Sequence, residues 1–470
     1  MSHHMDRLTP IDAGFLAQER EGSHMHIGGL LIFEGPAPSR EAFAAHLEAR
    51  LHLVPRYRQR LSVPRMEMGR PLWVDDESFN LGYHVRHSAL PAPGSVEQLR
   101  LLMGRIFSQR LDRSKPLWEL WLVEGYERDK FAIISKNHHA LVDGVSGADL
   151  TTVLFDLSRE GTEVPAPEEP WDPQPAPGEA ELVAKGLTEL AGVPFGLARR
   201  ALGAATRPAR TFEGAREVAE GLGEVAWGRI SPAPETPLNG PIGSHRRLSW
   251  VRIPLSDLKE IKNELGGTVN DVFLAAISGA LHHWLRSRGV RTEGVEIRSA
   301  VPVSVRSEGD ASMGNQITIM IGRLPTYADD PVERLRIVTE SMKDLKSSKQ
   351  ALGAEVISTI EEFAPPTIFA QASRLHFSTR MYNLLTTNVP GPQFPLYLLG
   401  REMLELMPVA FLAPEQRLAI ACMSYNGCVA VSIIGDYEEM GDLESFADLV
   451  QDEVGALRDA AKADRMAAAR

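Results

Sequence analysis

Two adjacent histidines, followed at a fixed spacing by an aspartate and a glycine, are the residues of this chain best suited to chemistry. They are His138, His139, Asp143 and Gly144, in the run HHALVDG. A neutral imidazole can take a proton from a hydroxyl or a thiol. The aspartate can fix the loop that aims the imidazole, and the glycine lets the chain turn or approach a ligand closely. The spacing therefore predicts a general-base site.

The alternative interpretation is a structural pair of histidines held by hydrogen bonds at the edge of a core. The chain contains an internal control, because His282-His283 lie in a predicted helix with Ser287 where the aspartate would be. We expect that second pair to be structural. The first pair differs because it follows Phe131–Ser135, a predicted buried strand, and catalytic groups project where such strands end.

The elements around this motif alternate between strand and helix. Gly28–Phe33 is a short apolar run typical of a buried strand, and Ser39 is placed to begin a helix. Ser95 and Gln98 form a predicted capping box before a second helix. Strands that alternate with helices predict a layered α/β architecture.

The middle of the chain differs in composition from both ends. Residues 164–178 include six prolines, which predicts a crossover or linker. Residues 181–216 follow with six basic and three acidic side chains and with apolar residues at helical spacing. Such a segment can rest on an anionic membrane or pack on the protein as a helix pair.

The second half again alternates helix and strand signals, and Asn426-Gly427 between two apolar runs predicts a hairpin. We therefore expect two similar α/β units, at 1–163 and 246–470, joined by a linker at 164–245. The predicted elements are strands at Arg247–Ile253, Ile297–Val305, Gln316–Ile321, Leu418–Tyr425 and Cys428–Ile434, and a helix over Asn270–Arg286.

Composition excludes several classes of protein. The chain has 470 residues, 43% of them apolar, and its net charge of −12 argues against a general nucleic-acid binder. Its two cysteines, Cys422 and Cys428, fit a reducing compartment. We find no HExxH, CxxC or nucleotide-binding glycine motif and no run of 18 apolar residues, and we expect no signal peptide. We expect a cytoplasmic protein without metal or cofactor, at most peripheral to a membrane.

HHALVDG matches the HHxxxDG signature of coenzyme A-dependent acyltransferases and of nonribosomal-peptide condensation domains. Other motifs, in a shared order over nearly the whole chain, are similar to those of the bacterial wax ester synthase/diacylglycerol acyltransferase family. These motifs are Leu8–Phe15 (LTPIDAGF), Met25–Gly29 (MHIGG), Pro116–Glu119 (PLWE), Pro237–Gly243 (PLNGPIG), Thr268–Ala276 (TVNDVFLAA) and Thr386–Pro392 (TTNVPGP).

The resemblance implies two chloramphenicol-acetyltransferase-like subdomains around a through-channel, with acyl-CoA reaching it from one face and the acyl acceptor from the other. The second histidine of the family's pair is the base, which transfers to His139. It would deprotonate a diacylglycerol or long-chain alcohol for direct attack on the thioester, without an acyl-enzyme. Trp118 and Glu119 are expected to support the core rather than to touch substrate.

Further roles follow from the resemblance for residues beside the base. We expect His138 to pack or hydrogen-bond beneath His139. Asp143 is expected to hold the loop through an ion pair, with Arg306 as its partner. Gly144 would leave space for the acyl or pantetheine chain.

The second half supplies polar candidates, each with two interpretations. Asn270 can donate a hydrogen bond near the reacting centre, or it can be the N-cap of its helix. Thr386, Thr387 and Asn388 can contact coenzyme A or the oxyanion. A structural turn built on Pro390-Gly391-Pro392 explains that segment as well.

The leading hypothesis is an O-acyltransferase that makes triacylglycerol or wax ester from acyl-CoA and works in contact with a membrane or lipid droplet. One alternative is an acyltransferase or condensation enzyme whose acyl donor is bound to a carrier protein. The other is a catalytically silent lipid-binding protein, in which the 181–216 segment would matter and His139 would not.

Overall fold

The computed structural model describes residues 5–63, 70–141, 154–178, 181, 232–304, 317–347 and 381–468. Asp143, Gly144 and Arg306 lie outside the described residues, as does the 181–216 segment apart from Glu181. The contacts predicted for them are therefore not described below.

Within the described residues the first half of the chain alternates strands and helices as its sequence predicts. The elements of this half are β1 (Met5–Arg7), α1 (Pro10–Gln18), β2 (His26–Glu34), α2 (Arg40–Glu48), β3 (Gln59–Ser62), β4 (Leu72–Asp75), α3 (Leu81–His84), β5 (Val85–Ala89), α4 (Val96–Ser108), β6 (Trp118–Tyr126) and β7 (Lys130–His138).

The second half places four longer helices among eight further strands in its described part. These elements are β8 (Arg246–Pro254), α5 (Leu255–Leu265), α6 (Val269–Ser287), β9 (Ile297–Ser304), β10 (Ile317–Leu324), α7 (Pro331–Ser347), β11 (Leu384–Pro390), β12 (Tyr397–Leu398), β13 (Arg401–Val409), β14 (Leu418–Tyr425), β15 (Cys428–Asp436) and α8 (Leu443–Ala468).

Local signals set several of these boundaries as predicted. The Ser39 hydroxyl accepts a hydrogen bond from the Ala42 amide at the start of α2. Ser95 and Gln98 form a complete capping box at the start of α4. Such side chains satisfy amide groups that have no partner inside the helix, which explains why the helices begin there.

Two six-stranded sheets carry the architecture. The first has the spatial order β12-β13-β2-β7-β6-β5, and the second has the order β10-β9-β11-β14-β15-β8. The predicted hairpin joins β14 to β15, with φ values of 43° at Asn426 and 81° at Gly427. Positive φ at both turn residues matches the twist of the flanking strands, which confirms that prediction.

Two strands of the second half, β12 and β13, belong to the first sheet. β13 pairs antiparallel with β2, so residues 401–409 complete a sheet whose other long strands come from residues 26–138. A single apolar core includes the facing sides of both sheets, among them Leu30 and Ile134 of the first and Leu385 and Ala421 of the second. The predicted boundaries at 163 and 245 remain a prediction. They assign β13 to the C-terminal unit, although this strand belongs to the sheet of the N-terminal unit.

The far side of the second sheet is covered by helices. A second apolar core packs α6, α7 and α8 against residues such as Leu384 and Ile420. None of the helices in the described ranges is both long and apolar enough to cross a bilayer.

Candidate active site

The histidine pair lies where the central strand β7 ends, beside β2. His26 is paired with His138 across the two strands. Beyond the strand end, the His139 amide donates to the Met25 carbonyl at 2.9 Å. Met25 is buried and adopts a left-handed φ of 51°, a backbone conformation that costs free energy and occurs often at functional sites. The segment before β2 therefore holds the main chain of the second histidine.

Two aromatic rings enclose the imidazole of His139. Phe15, from α1, stacks on it with ring centroids 3.8 Å apart and an interplanar angle of 19°. Phe411, which follows β13, meets it edge-on at 5.6 Å. The His139 ring is thus held between side chains from both halves of the chain.

This apolar enclosure determines the protonation state of His139. Burial lowers the pKa of His139 to about 4. A contact with its own backbone raises the pKa, but by less than burial lowers it. The ring is therefore neutral at neutral pH. Its Nδ1 is buried and forms no hydrogen bond within the described residues. The arrangement presents a neutral base.

His138 lies behind this base and closes a short turn. Its Nδ1 accepts from the Ala140 amide at 3.1 Å, and its carbonyl accepts from the Leu141 amide at 2.9 Å. The side chain is 1% exposed, and its Nε2 lies 3.8 Å from a carboxylate oxygen of Glu19. Burial and the nearby Arg113 hold the pKa of His138 well below its usual value, so this ring is neutral as well.

Buried cations surround the pair on the side of α4. Lys136 is fully buried and donates to the carbonyls of Ile106 and Gln109 at 3.0 and 2.6 Å, at the C-terminal end of α4. Burial lowers the pKa of Lys136 to about 8. The pKa of His24 falls to about 4 because of burial and of the Arg246 charge. The positive surroundings add to burial in disfavouring an imidazolium at His24, His26 and His138.

Asn270 and Asn388, each predicted separately as a polar contact, are hydrogen-bonded to each other. The Asn388 amide donates to the Asn270 side-chain oxygen at 3.0 Å. The N-cap of α6 is Thr268, which forms a capping box with Asp271. The N-cap interpretation of Asn270 is therefore wrong, because a Thr with an acidic residue three positions later satisfies the free amides first.

The two threonines of the TTNVPGP motif point to opposite sides of the second sheet. Thr386 is buried, and its hydroxyl lies 2.7 Å from that of Ser299. Thr387 is partly exposed and lies on the face that carries Leu385, which packs in the core shared by the two sheets. The alternation of a strand thus places Thr387, and not Thr386, toward the first sheet.

The PLWE motif supports the core, as predicted. The indole N–H of Trp118 donates to the Tyr57 carbonyl at 2.8 Å, and its ring stacks on His84 at 4.4 Å. Glu119 accepts from Arg86 at 3.0 Å. Both side chains are buried in the first unit.

The second histidine pair is structural, which confirms the control. His282 contacts the Thr326 carbonyl at 2.7 Å, and His283 pairs with Glu453 at 3.0 Å. Both histidines lie on α6, in the helical layer of the second unit.

Three residues around the histidines were not predicted as site residues: Phe15, Glu19 and Phe411. Helical periodicity puts Phe15 and Glu19 on one face of a helix that follows Thr9-Pro10. No sequence signal, however, indicates that this face meets residues 138 and 139.

Comparisons with known proteins agree over nearly the whole chain. Residues 8–273 match the family model of the wax ester synthase/diacylglycerol acyltransferase catalytic domain, and residues 313–458 match that of the C-terminal domain of the same family. A putative diacylglycerol O-acyltransferase from Mycobacterium bovis is 35% identical over 462 residues, with 96% of each chain covered. A probable diacylglycerol O-acyltransferase from Mycobacterium tuberculosis H37Rv has the same identity and coverage.

Solved structures share the fold. The wax ester synthase/diacylglycerol acyltransferase from Marinobacter aquaeolei VT8 aligns with a TM-score of 0.68 at 26% identity, over 97% of this chain and 100% of that one. The first condensation domain of the calcium-dependent antibiotic synthetase aligns at 0.63 and 18% identity, over 97% and 96%. These likenesses confirm the predicted α/β fold of two acyltransferase-like units. The chain belongs to the wax ester synthase/diacylglycerol acyltransferase family.

Proposed function

We propose that this acyltransferase moves a long-chain acyl group from acyl-CoA to the hydroxyl of diacylglycerol or of a fatty alcohol, with His139 as the general base. The products would be triacylglycerol or wax ester. The observation that carries the proposal is the neutral imidazole of His139, enclosed by Phe15 and Phe411 at the end of a central strand.

The proposed step needs one proton acceptor and no acyl-enzyme. His139 Nε2 takes the hydroxyl proton while the hydroxyl oxygen bonds to the thioester carbon. The tetrahedral oxyanion then collapses, the carbon–sulfur bond breaks, and the coenzyme A thiolate takes the proton from the imidazolium. No metal or prosthetic group is required, because the thioester is already activated and holding both substrates together supplies much of the acceleration.

The surroundings of His139 support a through-channel between the two units. Phe15 belongs to the first half of the chain, whereas Phe411 follows the strand that the second half lends to the first sheet. A base between the units is accessible to substrates that arrive from opposite faces. Thr387 is the proposed polar contact from the second unit, whereas the bonded pair Asn270 and Asn388 lies on the opposite face of that sheet, with Thr386.

Thiol release from palmitoyl-CoA tests the base and the acceptor together. Hexadecanol and dipalmitoylglycerol are offered separately to the wild type, to His139→Ala, and to His283→Ala as a matched control on an exposed histidine. We expect acceptor-dependent release that His139→Ala loses and His283→Ala keeps. Near-normal turnover by His139→Ala would refute the role of the base.

We further propose a peripheral contact with a membrane or droplet surface, which would supply the water-insoluble acceptor. The support is the charge of residues 181–216, which carry six basic and three acidic side chains. Sedimentation with anionic vesicles tests this contact. Changing Arg199 and Arg200 together to Glu should reduce the bound fraction, and an unchanged bound fraction would contradict the proposal.

A further inference from the structure

We propose that Glu19 is a positioning residue, which fixes the tautomer and orientation of His138 and thereby the turn that presents His139. The inference rests on the proposed role of His139 as the base. It names a carboxylate that lies 119 residues from His138 in sequence and that belongs to none of the motifs identified above.

The Glu19 carboxylate is buried, and two arginines fix its orientation. Its side chain is 1% exposed, directly after the end of α1. One oxygen accepts from Arg110 Nε at 3.1 Å, and the other accepts from Arg113 Nε at 2.7 Å. Arg113 also donates to the Leu16 carbonyl in the last turn of α1. These contacts leave the carboxylate little freedom to turn away from His138.

The hydrogen-bonding pattern of His138 defines its tautomer. Nδ1 accepts from the Ala140 amide, so it must carry the lone pair, and the proton of the neutral ring lies on Nε2. Nε2 is buried and has no hydrogen-bond partner in the described part of the chain, but the Glu19 carboxylate lies 3.8 Å away. That separation is longer than a hydrogen bond. The carboxylate therefore acts by attracting the N–H dipole, in a buried region where such attraction is strong.

The same ring controls the turn that follows it. If His138 flipped or changed tautomer, the Ala140 amide would lose its acceptor, and the chain from 138 to 141 would lose one of its two internal hydrogen bonds. His139 lies within that turn. A displacement of the base by a fraction of an ångström lowers the rate of transfer without weakening the binding of substrate.

The C-terminal end of α1 presents one residue to each histidine. Phe15 and Glu19 are four residues apart, so they lie on the same side of the chain as α1 ends. Phe15 stacks on His139, and Glu19 faces His138. The charged groups that face Glu19 from other elements are Arg110 and Arg113, in the segment after α4. This arrangement explains why an acidic residue lies buried at that position.

The test measures kcat and the KM for the acyl acceptor in the Glu19→Gln variant, with palmitoyl-CoA at a saturating concentration. We expect kcat to fall about 10- to 100-fold with KM changed by less than about twofold. The matched control is Glu453→Gln, because Glu453 is also buried, pairs with Arg334, and lies 3.0 Å from His283. The control should lose stability and keep the kcat of its folded fraction.

A double-mutant cycle separates positioning from a general structural role. His138→Asn keeps an acceptor for the Ala140 amide and removes the Nε2–H. If Glu19 acts through His138, adding Glu19→Gln to His138→Asn should lower kcat little further. Independent losses that multiply, or a wild-type kcat for Glu19→Gln, would overturn the inference and leave the role of His139 intact.

A second variant covers the case in which Glu19→Gln does not fold. Glu19→Asp keeps the negative charge for Arg110 and Arg113 but withdraws the carboxylate from His138 by one carbon. It should fold and still show the loss of kcat. A folded Glu19→Asp enzyme with wild-type kcat would overturn the inference as well.

Discussion

Lowering the pH is the most direct perturbation of the proposed base. An ordinary histidine has a pKa of about 6.5 and would be mostly protonated at pH 5. In this chain burial lowers the pKa of His139 to about 4, because the ring lies between Phe15 and Phe411 with little water to solvate a charge. A base must be neutral to accept a proton, so the two values predict different acid limits for activity.

The magnitude follows from the fraction of neutral imidazole. With a pKa of about 4, about nine-tenths of the enzyme is competent at pH 5. With an unperturbed pKa, only about 3% would be competent at pH 5, a difference of roughly 30-fold. The dependence of kcat/KM on pH reports the free enzyme, so it is the parameter to measure.

The assay follows ester product by mass spectrometry between pH 4 and 8, because thiol reagents themselves respond to pH. We expect kcat/KM to remain near its plateau down to about pH 5 and to be halved near pH 4. His283→Ala, which changes an exposed histidine, should give the same profile. A loss of kcat/KM with a midpoint near 6.5 would refute the burial argument for His139.

The same burial also lowers stability in acid, which the assay must take into account. Because the folded pKa lies below the unfolded value, the unfolded chain binds the proton first as the pH falls. The free energy of unfolding is therefore highest above about pH 6.5 and decreases between about pH 6.5 and 4. His24 and His139, both with a pKa lowered to about 4, each remove about 2 kcal/mol at pH 5. Near-ultraviolet circular dichroism at each pH identifies the folded range.

Two substitutions test how the first sheet supports the site. Gly28→Ala should destabilise the fold by about 3 kcal/mol or more, because the added Cβ would lie 1.8 Å from a main-chain oxygen of β7. A melting temperature within about 2 °C of the wild-type value would contradict this prediction. Trp118→Phe should cost about 2 kcal/mol in urea unfolding, since it leaves the Tyr57 carbonyl without its donor, and should keep the kcat of the folded enzyme. A kcat loss without a stability loss would instead indicate contact between Trp118 and substrate.

The sequence by itself determined the features that depend on neighbouring residues. The capping box at Ser95, the hairpin at Asn426-Gly427 and the buried strand over Phe131–Ser135 are all local features, so a few neighbouring residues are enough to predict them. The HHALVDG motif predicted a general-base site, and the family resemblance selected His139 as the proposed base. The N-cap interpretation of Asn270 failed on a local choice too, because Thr268 two residues earlier is the better cap.

Only the tertiary structure decided which distant parts of the chain meet. The pairing of β13 with β2 is decided by packing between the two units. Helical spacing places Phe15 and Glu19 on one face but does not say that the face covers the histidines. The lowered pKa of His139 likewise depends on burial, which is a property of the packed molecule. Hydrophobic periodicity in a single sequence reports local secondary structure. It does not indicate contacts between residues more than a hundred positions apart, because those contacts depend on how the whole core packs.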